Sequence, residues 1–357
     1  MSHFRLIRFV RSLLHFDVSS REPSLSSPTP RRFSIYPPPA KMTSEKPKEG
    51  GTGAYVRHET PFRNWITVDG SSGFPAEAGR YHLYVSLACP WASRTLVGRK
   101  LKGLEDVISV DIVDWLLDLK KGWAFNPQRP GCTPDTVNGK ASLKEIYQMV
   151  EANYDGRITV PVLWDKKQKK IVNNESSEIL RMFNSEFNAF GKTDEQRKLD
   201  LYPAELRKEI DSINEWVYRD INNGVYKAGF ATTQEAYDPA AKAVFDALDK
   251  VESILSAKRF LTGNQLTEAD VRLFTTLVRF DTVYNTHFKC NRRRIIDYKN
   301  IWGYTRDIYQ TGVIGETVDI DQIVNHYYQS QTHINPKGIV PIGPIIDFNS
   351  EHDRGEM

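Results

Sequence analysis

The residue best placed for chemistry is Cys89, which stands between an apolar, aromatic-rich run at 81–86 and a proline. The run predicts a strand, and Pro90 directly after the cysteine predicts a helix over about 90–101. A thiol at a helix N-terminus faces unpaired backbone N–H groups and the positive end of the helix dipole, and both stabilise a thiolate. We therefore predict that Cys89 is a nucleophile whose pKa lies below the value of about 8.5 for a free cysteine.

The other two cysteines, Cys132 and Cys290, have no comparable position. The three cysteines form no CxxC pair, so their spacing argues against a dithiol redox motif, a zinc ribbon and a disulfide framework. The histidines show neither the HExxH pattern nor clustering with cysteine, so we expect no protein-bound metal. The alternative for Cys89 is an ordinary buried structural cysteine. Its position where open α/β sheets bind ligands favours the reactive role.

A proline interrupts the run at 160–164, which otherwise reads as a strand. Because Pro161 cannot donate to a strand ladder, either the strand lies at a sheet edge or the Val160–Pro161 bond is cis. A bent strand start leaves the backbone of Val160 free to pair with an extended, peptide-like ligand. The plainer alternative is an edge strand that binds nothing.

Small polar residues and a glutamate begin the next predicted helix, at Glu175 and Ser176. Such residues are most often helix caps. A helix N-terminus also binds carboxylates, however, and a glutamate beside it can bind an ammonium group. Glu175 and Ser176 together therefore suit the head group of an α-amino acid.

The elements that position these residues follow the order β-α-β-loop-α-β-β-α, which is the order of a thioredoxin-like domain. The predicted strands are at 81–86, 107–113, 160–164 and 171–172, the helices at 90–101, at 143–154 and from 175, and the loop at 114–141. An irregular segment at 54–79, which contains several aromatic residues and Gly/Pro turns, is expected to pack against this domain.

The second half of the chain has apolar residues at helical spacing and no comparable strand pattern before about 338, so we predict a helical domain. Thr267 and Asp270 form a helix-start signal close to a capping box. The predicted fold class is an α/β thioredoxin-like N-terminal domain plus an all-α C-terminal domain. The boundaries are an extension at 1–53, the thioredoxin-like domain at 54–187, a linker at 188–203, the helical domain at 204–347 and a tail at 348–357.

The extension is rich in arginine and poor in acidic residues, and its first sixteen residues alternate basic with apolar positions. This pattern is typical of a transit peptide for a mitochondrion or another organelle. The alternative is an N-terminal tail without a targeting signal, which would leave the protein in the cytoplasm. Met42 offers a second translation start. Residues 1–41 hold seven basic and two acidic residues, so the net charge of +3 leaves the rest of the chain at −2. We therefore expect no nucleic-acid partner. No run has the length of a membrane span.

Several motifs agree in order with one family, and together they cover about residues 55–347. They are Cys89-Pro90-Trp91-Ala92, the loop around Trp123, Asn174-Glu175-Ser176, Asn223-Gly224-Val225-Tyr226-Lys227-Ala228-Gly229-Phe230, Leu261-Thr262-Gly263-Asn264 and Asn325-His326-Tyr327-Tyr328. The chain resembles the glutathionyl-hydroquinone reductases, the Xi class of the glutathione transferases. The resemblance implies a glutathione transferase fold, glutathione as co-substrate, no metal and a homodimer.

The resemblance also implies roles for individual residues. Cys89 would be the catalytic nucleophile, and Tyr226 and Tyr327 would face the hydroquinone. The residues that would hold glutathione are Trp123, Arg157, Val160, Glu175 and Ser176. The local sequence patterns, taken without the resemblance, indicate Cys89, Val160, Glu175 and Ser176 as site residues. They do not indicate Trp123, Arg157 or the two tyrosines.

The expected activity is the reduction of glutathionyl-hydroquinones to hydroquinones through a mixed disulfide between Cys89 and glutathione, with release of oxidised glutathione. The absence of a nearby second cysteine supports an external resolving thiol. One alternative is a thiol transferase or dehydroascorbate reductase similar to the omega class. The other is a non-catalytic, glutathione-transferase-like scaffold that binds a partner protein.

Overall fold

The computed structural model describes residues 49–50, 52–57 and 59–356. The described residues belong to one compact unit. The predicted transit peptide and Met42 lie outside the described residues. A short antiparallel pair, Glu49–Gly50 with Ala54–Tyr55, precedes the main sheet.

The centre of the N-terminal domain is a sheet of β1 (Tyr81–Val85), β2 (Ser109–Ile112), β3 (Val162–Asp165) and β4 (Lys170–Asn173). The strand order is β2-β1-β3-β4. β1 runs parallel to β2 and antiparallel to β3, and β3 runs antiparallel to β4. With α1 (Pro90–Leu101), α2 (Leu143–Val150) and α3 (Ser176–Ser185), the predicted order β-α-β-loop-α-β-β-α is confirmed.

All four predicted strands and the second and third helices differ from the observed elements at one or both ends, and two of these differences have identifiable reasons. The second helix ends at Val150 rather than at 154, because Glu151 already has extended backbone angles. The third strand begins at Val162 rather than at 160, because Pro161 has no N–H for the ladder. α1 has the predicted bounds.

The irregular segment before β1 packs on the sheet, as expected. Ile66 and Phe74 are buried in the core of the N-terminal domain. The backbone N–H of Asn64 donates to the carbonyl of Val172, which lies in β4, at 3.0 Å. The segment therefore covers part of the β4 side of the sheet.

From Asp194 to Ser330 the chain is mainly helical, and residues 331–353 form no regular helix or strand. The elements are α4 (Asp194–Lys198), α5 (Arg207–Trp216), α6 (Gly224–Gly229), α7 (Gln234–Leu255), α8 (Glu268–Arg279), α9 (Lys299–Gln310) and α10 (Ile320–Ser330). π-helical turns extend α5 over Val217–Asn222 and α8 over Phe280–Tyr284. The predicted capping box of Thr267 and Asp270 starts α8. The predicted linker at 188–203 contains a 3-10 turn, Asn188–Phe190, as well as α4.

The cores of the two domains meet along α1. Trp91 and Val97 belong to the core of the helical domain, whereas Ala92 and Leu96 belong to the core of the N-terminal domain. α1 also lies close to α3, since a Cβ atom at Gly98 would stand 2.5 Å from the Leu180 side chain. The start of α1 is therefore held by both domains. No helix within the described ranges is both long enough and apolar enough to cross a membrane.

Candidate active site

Cys89 is the residue that precedes the first turn of α1, and its backbone is extended (φ −79°, ψ 120°). Its side chain is partly exposed and contacts the cores of both domains. The thiol donates a long hydrogen bond to the carbonyl oxygen of Val160, with an Sγ to O distance of 3.6 Å. The structure thus brings together two residues that the sequence singled out separately.

The prediction of a depressed pKa for Cys89 was wrong. Burial raises the pKa of this thiol, because a charged sulfur loses hydration in the apolar surroundings. The backbone N–H groups of Ala92 and Trp91 act in the opposite direction, as do the positive charges of Arg279 and Arg57. The helix N-terminus therefore acts as expected, but the desolvation of the thiol outweighs it.

Val160 is buried beside Cys89, and its peptide bond to Pro161 is cis. The sequence left open a cis bond or an edge strand. Here β3 lies between β1 and β4 and is an interior strand, so the cis alternative is the correct one. The backbone of Val160 stands just before the start of β3, next to the thiol.

Glu175 and Ser176 lie at the start of α3. Glu175 caps this helix, because its Oε1 accepts the backbone N–H of Ser177 at 3.0 Å and the Ser177 hydroxyl at 2.9 Å. The Ser176 side chain is buried. Glu175 thus acts as a helix cap through one of its two carboxylate oxygens. The proposed binding of an α-amino acid head group stays a prediction.

Trp123 and Arg157 lie on the loops around the site. Trp123 is buried in the core of the N-terminal domain, and its ring stacks on His326 of α10 with a centroid distance of 5.2 Å. Arg157 is exposed, three residues before Val160, and its guanidinium forms no ion pair within the described residues. The structure therefore joins Trp123 to the helical domain but leaves Arg157 at the surface.

Tyr226 of α6 and Tyr327 of α10 meet, although they are 101 residues apart in sequence. Their hydroxyl groups are hydrogen-bonded to each other, and the hydroxyl of Tyr284 lies 3.0 Å from that of Tyr327. We call Tyr226, Tyr284 and Tyr327 the tyrosine cluster. Sequence reasoning missed Tyr284, since nothing in the local sequence distinguishes it from other buried aromatic residues.

The tyrosine cluster lies beside Cys89 and is protonated. Burial raises the pKa of Tyr226, Tyr284 and Tyr327, because a phenolate would lose its hydration in the core. A negative charge on Cys89 would raise the pKa of Tyr226 and Tyr284 further. Each of the three hydroxyl groups can donate one hydrogen bond and accept others, so the cluster can donate to a bound molecule.

Sequence reasoning also missed Arg279 and His326. Arg279 ends α8 and is fully buried between Val278 and Phe280. A charged residue inside an apolar helical run was the signal that could have found it. His326 donates from Nδ1 to the Trp115 carbonyl at 2.7 Å and has no comparable signal in the sequence. Burial lowers the pKa of His326 to about 4, so this ring is neutral near pH 7.

Within the described part of the chain, no group of three or more His, Cys, Asp or Glu side chains is arranged to hold a metal ion. The side chains around the thiol are aromatic rings, hydroxyl groups and guanidinium groups. This combination can hold a flat phenolic molecule, donate protons to it and stabilise a thiolate.

Comparisons with known proteins agree with this geometry. Residues 88–186 match the family model of the glutathione S-transferase N-terminal domain, and residues 234–307 match that of the C-terminal domain. The glutathionyl-hydroquinone reductase YqjG of Escherichia coli is 55% identical over 308 residues, which are 85% of this chain and 92% of that protein. The glutathione-bound structure of YqjG matches with a TM-score of 0.80 and covers 85% of this chain and 98% of that chain.

A second solved structure supports the same placement. The glutathione S-transferase Xi from Phanerochaete chrysosporium has a TM-score of 0.82 and 50% identity, and the match covers 86% of this chain and 97% of that chain. The predicted fold class and the resemblance are confirmed. The chain is therefore an enzyme of the glutathione transferase family and belongs to its Xi class.

Proposed function

We propose that this enzyme reduces glutathionyl-hydroquinones to hydroquinones at the expense of glutathione, with Cys89 as nucleophile. The observation that carries the proposal is the position of the Cys89 thiol at the start of α1, beside the protonated tyrosine cluster. The similarity to a glutathionyl-hydroquinone reductase supports this choice of substrate.

In the first step the Cys89 thiolate attacks the sulfur atom that joins glutathione to the aromatic ring. A disulfide bond forms between Cys89 and glutathione, and the bond from sulfur to the ring carbon breaks. The electron pair of that bond passes to the ring carbon, which takes up one proton. The ring, which leaves as hydroquinone, is thereby reduced, and the two sulfur atoms are oxidised.

The tyrosine cluster suits the proton transfer in this step. Its hydroxyl groups stay protonated because burial raises their pKa values. One hydroxyl can hydrogen-bond a phenolic oxygen of the substrate or supply the proton that the ring carbon needs. Tyr226 is the member that stacks on Trp91, with a centroid distance of 6.3 Å, next to Cys89.

In the second step the thiolate of another glutathione attacks the mixed disulfide. Oxidised glutathione leaves and the Cys89 thiolate is restored. We expect an external thiol because Cys132 and Cys290 form no disulfide with Cys89 in the described structure and their thiols bond to the carbonyls of Pro130 and Phe288. Cys290 is fully buried, and burial raises its pKa to about 12, which makes it inert.

Glutathione would lie across Val160 and the start of α3. The backbone of Val160 would pair with its peptide groups, and Glu175 and Ser176 would bind its γ-glutamyl head group. Trp123 and Arg157 would contact the remainder of the molecule. The position of Val160 next to the thiol supports this arrangement, because it sets a peptide ligand beside the reacting sulfur.

The test compares glutathione-dependent hydroquinone release by the wild type, Cys89→Ser and the control Cys132→Ser. We expect Cys89→Ser to lose at least about 1,000-fold in rate, as happens when a nucleophile is removed, and Cys132→Ser to match the wild type. Mass spectrometry with limiting glutathione should find glutathione attached to Cys89. Equal rates in the wild type and Cys89→Ser would defeat the proposal.

The same assays separate the alternative functions. A thiol transferase would exchange glutathione on a small disulfide with the Cys89 thiol but would not release hydroquinone. A scaffold would form no mixed disulfide on Cys89 at all. Either result would replace the proposed function.

We also propose that this enzyme forms a homodimer and is targeted to an organelle. The homodimer follows from the resemblance, and sedimentation at micromolar concentration tests it: a monomer would contradict it. The address rests on the arginine-rich pattern of the first residues. A fluorescent protein fused to residues 1–50 should reach an organelle, and one fused to the chain from Met42 should not. A diffuse signal from the first fusion would contradict the address.

A further inference from the structure

Arg279 reaches from the helical domain to the turn that carries Cys89. Its Nε donates to the carbonyl of Ala88 at 3.0 Å and its Nη2 to the carbonyl of Leu87 at 2.9 Å. These are the two residues directly before Cys89. Arg279 therefore fixes the backbone on the N-terminal side of the nucleophile.

The same guanidinium also acts on the C-terminal side of Cys89. Nη2 of Arg279 donates to the Ser93 hydroxyl at 2.6 Å, and the Ser93 hydroxyl donates to the carbonyl of Cys89 at 3.0 Å. Nη1 donates to the carbonyl of Thr275 within α8. Each nitrogen of the group is used, so a lysine could not reproduce this set of contacts.

No carboxylate of the described residues neutralises the positive charge of Arg279. Its acceptors are three backbone carbonyls and one hydroxyl, and within the described residues it forms no ion pair. A buried charge of this kind stabilises an anion nearby, because the low dielectric of the interior weakens its field little. The Cys89 thiolate is such an anion, since the charge of Arg279 acts against the effect of burial on the thiol.

Arg279 also connects the nucleophile to the tyrosine cluster. It is the last residue of α8, and the π-helical turn that follows ends at Tyr284. The Tyr284 hydroxyl in turn bonds to Tyr327. One continuous segment thus holds the Cys89 turn at one end and the tyrosine cluster at the other.

We propose that Arg279 is a positioning residue for the reaction: it fixes the Cys89 turn relative to the tyrosine cluster and supplies a buried positive charge that stabilises the thiolate. The proposal rests on the proposed role of Cys89 as nucleophile. Other groups near the thiol are Arg57 from the N-terminal segment, Tyr226 from α6 and Tyr284 from the π-helical turn.

The test compares Arg279→Met and Arg279→Lys with the control Arg354→Met. Arg354 is also fully buried and also donates to backbone carbonyls, those of Leu255, Lys258 and Arg259, but these carbonyls belong to the helical domain away from Cys89. The first readout is the rate at which iodoacetamide alkylates Cys89 as a function of pH, followed by peptide mass spectrometry. The second is the thermal midpoint of each variant.

For Arg279→Met we expect Cys89 alkylation at pH 7 to fall about tenfold or more, because alkylation follows the thiolate fraction. Arg279→Lys keeps the positive charge but cannot form all the hydrogen bonds of the guanidinium group, so the rate of Cys89 alkylation should stay within about threefold of the wild type. Its kcat for hydroquinone release should fall more than its KM rises. Arg354→Met should lower the thermal midpoint and leave the alkylation profile unchanged.

An alkylation profile of Arg279→Met that coincides with the wild type would overturn the proposal. If Arg279→Met does not fold, Arg279→Lys and Ser93→Ala decide: unchanged kcat in both would overturn it. The alkylation assay needs no hydroquinone. Failure of the wild type to release hydroquinone would therefore refute the proposed function and leave the test of Arg279 intact.

Discussion

Replacing Tyr327 by phenylalanine removes one oxygen atom from the middle of the tyrosine cluster. The Tyr327 side chain is buried, and its hydroxyl is the group that both Tyr226 and Tyr284 contact. Each neutral hydrogen bond contributes about 1 kcal/mol to stability. The variant should therefore lose about 2 kcal/mol in free energy of unfolding and still fold.

The effect on activity should be larger and selective. Because burial keeps Tyr327 protonated, its only acid–base role in the cluster is as a proton donor or a relay to one. Loss of a positioned acid costs about 100-fold to 10,000-fold in rate. We expect kcat for hydroquinone release from a glutathionyl-hydroquinone to fall by at least about 100-fold. Exchange of glutathione with a small disulfide needs no proton at a ring carbon and should change less than about threefold.

Tyr298→Phe is the matched control. Tyr298 is also fully buried, and its hydroxyl donates to Asp249 at 3.1 Å, outside the tyrosine cluster. This variant should lose about 1 kcal/mol of stability and keep both activities. The reasoning would be refuted if Tyr327→Phe slowed both reactions equally, or if Tyr298→Phe slowed hydroquinone release as much as Tyr327→Phe.

Three further predictions follow from the site. Because burial raises the pKa of Cys89, kcat/KM for hydroquinone release should rise with pH through pH 7 to 9, and a plateau already at pH 6 would contradict this. Glu175→Gln removes the negative charge that would bind an ammonium group but keeps an oxygen that can accept the helix-cap hydrogen bond. The KM for glutathione should therefore rise about tenfold, with little change in thermal midpoint. An unchanged KM would exclude Glu175 from the glutathione site. Burial lowers the pKa of His326 to about 4, whereas the value in an unfolded chain is about 6.5. The unfolded state therefore binds the proton more tightly, and the stability of the folded state falls as the pH drops from about 6.5 to 4. The free energy of unfolding of His326→Gln, measured in urea, should change over this pH range by up to about 3 kcal/mol less than that of the wild type. An unaltered pH dependence would refute the lowered pKa of His326.

The stacking of His326 on Trp123 has a consequence for the wider site. Trp123 belongs to the N-terminal domain and His326 to α10 of the helical domain, directly before Tyr327. Together with the contacts of Arg279, this pair joins the expected glutathione side of the cleft to the tyrosine cluster. The relative position of the two domains therefore sets the distance between the residues expected to bind glutathione and the tyrosine cluster.

The sequence alone was sufficient to predict the order of elements in the N-terminal domain and the positions of Cys89, Glu175 and Ser176. These features depend on signals that act over a few residues: an apolar run, a proline at the first helical position, and small polar caps. The same local information predicted a bent backbone at Val160, because a proline constrains its immediate neighbours.

The tertiary structure decided the features that depend on distant parts of the chain. Tyr226, Tyr284 and Tyr327 meet only because α6, the π-helical turn after α8 and α10 pack together, and no local pattern marks their hydroxyl groups. The sign of the pKa shift at Cys89 was mispredicted because the helix N-terminus is a local feature, whereas the burial that outweighs it is supplied by both domains. The charge of Arg279, which counters that burial, reaches the thiol only through the packing of α8 against the start of α1.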